Sequence, residues 1–265
     1  MQSDRQRLDN LIVEIGLCDS RNKAKSLIKD GKVSVDGRVV LKPALLVSAA
    51  SAVKLLTQDA YVARSAYKLI NALDMFSLNV GGLIAADIGA STGGFTQVLL
   101  ERGAQKVYAI DVGTGQLSDK LRANSRVVNL EKVNARSLNR NMFDDNIDFA
   151  TMDLSFISVS YVLGPVYNIL AERGTLLCLV KPQFELGPQS LSKNGVVKNI
   201  ALQHEAVLKI AGFAAELGFT VCGGGFCGVE GESGNREYFL YLSKDNSKQA
   251  VGPNKLKECL RGCVL

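Results

Sequence analysis

Histidine is almost missing from this chain of 265 residues, where His204 stands alone, and none of the six cysteines (18, 178, 222, 227, 259 and 263) forms a C-x-x-C pair. A zinc site needs ligand pairs at short spacing, so no metal centre is expected. Cys222 and Cys227 are too far apart for such a pair and sit among glycines. Reduced, structural cysteines in a cytoplasmic protein are the expectation. No basic stretch leads into an apolar run with a small-residue cleavage site, which argues against a secretory signal. Only residues 154–171 run for 18 positions without a charge, near the short end for a membrane span. That run holds three serines, Gly164, Pro165 and Asn168 and directly follows a strand, so a helix buried against a sheet is expected instead.

Charge is present but segregated. Residues 1–60 hold ten Lys/Arg against seven Asp/Glu, residues 61–245 hold 17 against 18, and residues 246–265 hold four against one. The basic excess at both ends suits an anionic partner. The first segment reads as two short helices and a hairpin. Leu8, Leu11, Ile12 and Ile15 share a helical face, Asp19 or Ser20 can cap a second helix, and Asp36-Gly37 suits a type I′ turn between two strands. The polar side of the second helix carries Arg21, Lys23, Lys25 and Lys29, with Lys32 just beyond. These charges can be an ordinary solvated face or a stripe that contacts phosphates. Arg7-Leu8-Asp9, Ser20-Arg21-x-x-Ala24-x-x-Leu27-Ile28-x-x-Gly31-x-Val33-x-Val35-x-Gly37 and Lys42-Pro43 resemble the S4 RNA-binding domain. The resemblance implies docking on structured RNA by shape and backbone charge.

From about Tyr61 strands alternate with helices, which predicts a parallel, doubly wound sheet. Strands are expected near 84–88, 107–110, 127–130, 147–152, 175–180, 219–223 and 238–242, and helices near 65–74, 95–102, 115–123, 158–171 and 201–217. Three strand ends carry chemistry, at the sheet edge where open α/β proteins bind ligands: the Gly-rich turn after residues 84–88, Asp153 after residues 147–152, and Lys181. After the first strand comes Asp87-Ile88-Gly89-Ala90-Ser91-Thr92-Gly93-Gly94-Phe95-Thr96, a turn that is neither G-x-G-x-x-G nor a Walker A loop. The second ends on Asp111, which can accept hydrogen bonds from both hydroxyls of an unmodified ribose or can cap the next helix. The apolar strand before Lys181 ends on that charge and is stopped by Pro182.

These segments, with Asp153-Leu154-Ser155-Phe156-Ile157-Ser158 and Lys181-Pro182-Gln183-Phe184-Glu185, resemble the TlyA (hemolysin-A-like) group of FtsJ-type RNA methyltransferases. The resemblance implies an α/β, Rossmann-like doubly wound methyltransferase domain over residues 59–245. A small α+β S4-like RNA-binding domain over 1–58 precedes it, and a basic tail over 246–265 follows. It implies S-adenosylmethionine as cofactor, at a site formed by Asp87, Gly89, Ser91, Gly93, Gly94, Phe95, Asp111, Asn134 and Asp153. The partner implied is ribosomal RNA or a ribosomal subunit, with a cytidine 2′-hydroxyl as acceptor. Methyl transfer to a hydroxyl needs an aligned acceptor and a base for its proton. Lys181 is the candidate base if its neighbours lower its pKa. In order, Lys68, Asp153, Lys181 and Glu237 match the Lys-Asp-Lys-Glu tetrad of ribose 2′-O-methyltransferases. By that match Lys181 is the base, Lys68 and Glu237 tune it, and Asp153 orients the lysines beside the methyl donor. One segment departs from the group. Where Ser-Arg-Gly-Gly-x-Lys-Leu is usual, this chain has Ala63-Arg64-Ser65-Ala66-Tyr67-Lys68-Leu69, which keeps Arg64 as an RNA contact but loses the paired glycines.

Tyr61, Tyr67 and Phe156 can stack on bases or pack as core or rim. His204 is expected at the surface or half-buried, and Glu185 either lines the site or caps the loop after Lys181. The rival readings are a non-catalytic RNA-binding protein and a membrane-active hemolysin.

Overall fold

In the computed structural model, which describes residues 5–56, 61–231 and 234–262, the chain divides into two units, Met1–Arg64 and Ser65–Leu265. The boundary expected at 58/59 and Cys263 lie outside the described residues.

The first unit contains β1 (Arg5–Arg7), α1 (Leu8–Glu14), α2 (Arg21–Lys29), β2 (Val33–Val35), β3 (Arg38–Val39), β4 (Leu46–Ser48) and β5 (Val53–Leu55). Ser20 Oγ accepts the Lys23 amide and so starts α2. Asp36 and Gly37 take φ of 49° and 79°, the left-handed pair that a type I′ turn needs, and Val35 faces Arg38 across the hairpin. β2 also pairs with β5, and β1 pairs with β4. Leu8, Leu11, Ile12, Ala24, Ile28 and Val33 close the core from the faces that the sequence period marks.

The second unit runs α3 (Ala66–Met75), β6 (Ile84–Ile88), α4 (Gly94–Glu101), β7 (Lys106–Ile110), α5 (Asp119–Arg122), β8 (Val127–Leu130), β9 (Ile147–Met152), α6 (Ser160–Ile169), β10 (Leu170–Val180), α7 (Pro182–Glu185), α8 (Ile200–Glu216), β11 (Thr220–Glu230), β12 (Arg236–Ser243) and α9 (Pro253–Leu260). Its seven-stranded sheet has the order β11-β12-β10-β9-β6-β7-β8. Pairing is parallel from β8 through β10, as expected. The parallel expectation fails at one edge, where β12 is antiparallel to both β10 and β11. The short loop from β11 to β12 permits a hairpin but not a crossover. Leu176, Leu177, Cys178, Leu179 and Val180 are fully buried at the centre of the sheet. Each such aliphatic side chain contributes about 1.5–3 kcal/mol of burial.

Three expectations need correction, and the basic tail gains an element for which none was expected. The uncharged run 154–171 is not one helix, because α6 ends at Ile169 and Leu170 already pairs with Ile147 in the sheet. The helix expected over 115–123 shrinks to Asp119–Arg122. There the amides of Gly113 and Gly115 bond to the carboxylates of Asp111 and Glu131 rather than to a helical turn. The basic tail contains α9, which buries Leu256, Cys259 and Leu260. His204 is buried, edge-on to Tyr238 at 5.6 Å, and burial followed by Arg236 pushes its pKa down. No helix among the described residues is long and apolar enough to cross a membrane.

Candidate active site

The donor side is built from the carboxyl ends of β6, β7 and β9. Gly89, at φ 88°, lets the turn after β6 lie against β9, since a Cβ there would collide with the main-chain oxygen of Asp153. Asp153 N in turn donates to Ile88 O at 3.0 Å. Asp111 holds the loop from the other side, where its Oδ2 accepts the Ser91 amide at 2.8 Å and its Oδ1 the Gly113 amide at 2.7 Å. Each carboxylate oxygen has further lone-pair capacity, so Asp111 can still accept from a ligand. Together these ends border a cavity of about 600 Å³, within the roughly 300–1,000 Å³ of small-molecule sites.

Five residues from the expected cofactor set line this cavity: Gly89, Ser91, Asp111, Asn134 and Asp153. The other four lie behind it. Asp87 is fully buried and accepts from Thr96 Oγ1 at 2.7 Å and Thr151 Oγ1 at 3.1 Å, tying the loop to α4 and β9. Burial raises its pKa to about 6 against the pull of those hydroxyls. Gly93 is needed where a Cβ would strike Leu121 and Leu117. Gly94 is buried at the start of α4, and Phe95 packs in the core 6.0 Å from Phe239. The cavity also gains Val112 and Gln116, which follow Asp111 in the sequence but are not among the expected cofactor residues, and Val133, Ala135 and Arg136, which carry no motif. The segment after β8 reaches it by folding back, with Val133 N bonded to Asp111 O at 3.0 Å and Lys132 N to Gly113 O at 3.1 Å.

At the cavity's edge four charged side chains meet. Lys68 Nζ on α3 lies 2.7 Å from Glu237 Oε2 on β12 and 3.9 Å from Asp153 Oδ2. Lys181 Nζ, just beyond β10, lies 2.6 Å from Asp153 Oδ1 and donates to Ser155 Oγ at 2.8 Å. One carboxylate thus holds two ammonium groups. Burial pulls the Lys68 pKa down, but Asp153 and Glu237 outweigh it and the net shift is upward. The Lys181–Asp153 contact is ionic, because Asp153 Oδ1 is buried and accepts no aligned hydrogen bond. Nearby Glu185 accepts from Ser158 Oγ and Val159 N, which makes it the cap of the loop before α6. Phe156 is 91% exposed on the cavity rim, whereas Tyr67 is buried and Tyr61 half-buried.

In the first unit the expected phosphate contacts divide. Arg7 makes a two-pronged contact with Asp9 at 2.9 and 2.8 Å, and Arg21 adds 3.2 Å to the same carboxylate. The Arg7 bond, then the Arg21 bond, hold the buried Asp9 carboxyl down to about 2 against the cost of burial. Lys23 pairs with Asp19 at 3.2 Å on the surface. Lys29 is exposed, while Lys25, Lys32 and Arg64 are half-buried.

Comparison with known proteins matches residues 61–244 to the FtsJ-like methyltransferase family and residues 6–53 to the S4 domain. The 16S/23S rRNA (cytidine-2′-O)-methyltransferase TlyA of Mycobacterium tuberculosis is 41% identical over 262 residues, covering 98% of this chain and 97% of that one. Hemolysin A of Brachyspira hyodysenteriae is 36% identical, covering 89% of this chain and 99% of the relative. A solved Streptococcus thermophilus structure that bears a hemolysin name superposes with a TM-score of 0.75 at 37% identity, over 98% of this chain and 96% of that one.

Proposed function

The chain belongs to the FtsJ-like methyltransferase family and carries an S4 domain, and from that premise we propose that it methylates the ribose 2′-hydroxyl of cytidine in ribosomal RNA, using S-adenosylmethionine. The observation that carries this reading is the Asp153 carboxylate, which engages Lys181 at 2.6 Å and Lys68 at 3.9 Å beside the cavity. S-adenosylmethionine, when bound, supplies a methyl group already activated by its positively charged sulfur. The cavity suits it in three respects. Gly89 and Ser91 bring backbone to the wall, Asp111 keeps acceptor capacity for ribose hydroxyls, and Val112, Val133 and Ala135 give apolar surface for a planar base.

The protein's own task is then alignment and proton removal. Lys181 Nζ takes the proton of the acceptor hydroxyl. Asp153 holds that amine at the cavity edge, and Lys68, kept charged by Asp153 and Glu237, shares the same Asp153 carboxylate. The cytidine and ribosomal RNA assignment draws on the name of the Mycobacterium tuberculosis relative, and the S4 domain supports an RNA partner read by shape and phosphate. The reading entails a cytoplasmic protein acting on ribosomal RNA or subunits.

A purely RNA-binding protein has no need of four converging charges, three of them buried and Asp153 half-buried, which are costly unless paired. Incubation with labelled S-adenosylmethionine and intact ribosomal subunits, followed by nuclease digestion, tests the proposal. Label is expected on the ribose of a cytidine. Label on a base, or none, counts against it.

A further inference from the structure

Among the partners of Lys181, Ser155 alone supplies direction. Asp153 Oδ1 attracts Nζ at 2.6 Å but accepts no aligned hydrogen bond, whereas Ser155 Oγ accepts one from Nζ at 2.8 Å. A neutral amine has two N–H bonds and one lone pair in a tetrahedral arrangement. Fixing one N–H on a defined acceptor, with the side chain only 10% exposed, narrows where the lone pair can point. A base whose lone pair swings freely spends little time aimed at the acceptor hydroxyl.

The loop that carries Ser155 is held for this purpose. Phe156, directly after it, takes φ 65°, a left-handed conformation that is a genuine outlier for a bulky side chain. Its ring lies 5.3 Å from that of Phe184, on α7 immediately beyond Lys181. The Asp153–Phe156 and Lys181–Phe184 segments are therefore joined at three places: by an ion pair, a hydrogen bond and a ring contact. Serine 155 is itself exposed at the cavity wall, so its hydroxyl sits where the acceptor must approach.

We propose that Ser155 is a positioning residue, which turns the Lys181 amine so that its lone pair faces the acceptor hydroxyl. This rests on the reading of Lys181 as the base. Charged groups on neighbouring elements are Asp153 at the end of β9, Lys68 on α3, Glu237 on β12 and Glu185 on α7, and all of them stay in place in a serine variant.

The test is single-turnover methylation of ribosomal subunits by Ser155→Ala, Ser155→Thr and Lys181→Ala proteins, read beside RNA and S-adenosylmethionine binding. Ser155→Ala is expected to lower the single-turnover rate at saturating substrate by about 10- to 100-fold, with RNA and S-adenosylmethionine affinities unchanged. Ser155→Thr restores the rate. Two outcomes overturn the proposal: a wild-type rate in Ser155→Ala, or a reduced rate accompanied by weakened RNA binding, which marks a substrate contact. Retained activity in Lys181→Ala instead overturns the assignment of the base, so the two failures are distinguishable.

Discussion

Replacing Lys68 by methionine removes the cation that sits between the buried Glu237 carboxylate and the half-buried Asp153. The Lys68 and Glu237 side chains are 11% and 4% exposed and 2.7 Å apart, so solvent screens them little. At an effective dielectric constant near 20 their attraction is about 6 kcal/mol before desolvation is charged against it. Stripping one partner from such a pair typically costs about 3–5 kcal/mol, because the other charge stays buried alone. For a domain of this size that lowers Tm by roughly 6–20 °C. Neutralising both, in Lys68→Met/Glu237→Gln, removes the stranded charge and recovers most of the loss. Activity behaves differently and stays low in both proteins, because the cation that shares the Asp153 carboxylate with Lys181 is gone from each. Differential scanning calorimetry beside a methyl-transfer assay measures the two quantities. A Lys68→Met protein that melts with the wild type, or a double variant that melts no higher than the single one, refutes the argument.

Asp87 predicts a pH dependence. Its folded pKa of about 6 lies above its ordinary value of 3.8, so its contribution to stability is fully present below about pH 4 and is lost as pH rises through about 6. The loss is about 3 kcal/mol; urea unfolding should show Asp87→Asn gaining on the wild type over that window, and a constant difference contradicts the assignment. Gly89→Ala places a Cβ against the Asp153 carbonyl at a left-handed φ, which should weaken S-adenosylmethionine binding by about tenfold or more, as calorimetric titration would read. Lys29→Ala should lower RNA affinity and reduce the salt slope by about one. Arg7→Ala should instead destabilise the first unit, because it removes the two-pronged partner of the buried Asp9 carboxylate and leaves it only the longer Arg21 contact at 3.2 Å.

Much of this site is legible because its chemistry sits at strand ends. A buried apolar run ending on Lys181, and a strand ending on Asp153, can be found from pattern alone, and the structure brings them to 2.6 Å. Lys68 and Glu237 are not legible by themselves, since a helix lysine and a strand-edge glutamate look like surface charges until family order joins them. Asp87 is the penultimate residue of β6 and Asp111 the first beyond β7, yet one lies beneath the loop and the other at the cavity wall. The direction of each side chain decides that, and a motif does not record it. Arg7 and Arg21 resemble free phosphate contacts until Asp9 draws both inward. The helix near the carboxyl terminus had a signal in Pro253 and in Leu256, Cys259 and Leu260 at helical spacing, but surrounding lysines masked it.

The central claim is that Lys181 removes the proton from the acceptor hydroxyl, and its most direct measurement is the single-turnover rate of Lys181→Ala on intact ribosomal subunits. The account predicts a loss of about 10²–10⁴-fold, with S-adenosylmethionine and RNA affinities close to those of the wild type. A Lys181→Ala protein that methylates ribose at the wild-type rate contradicts it.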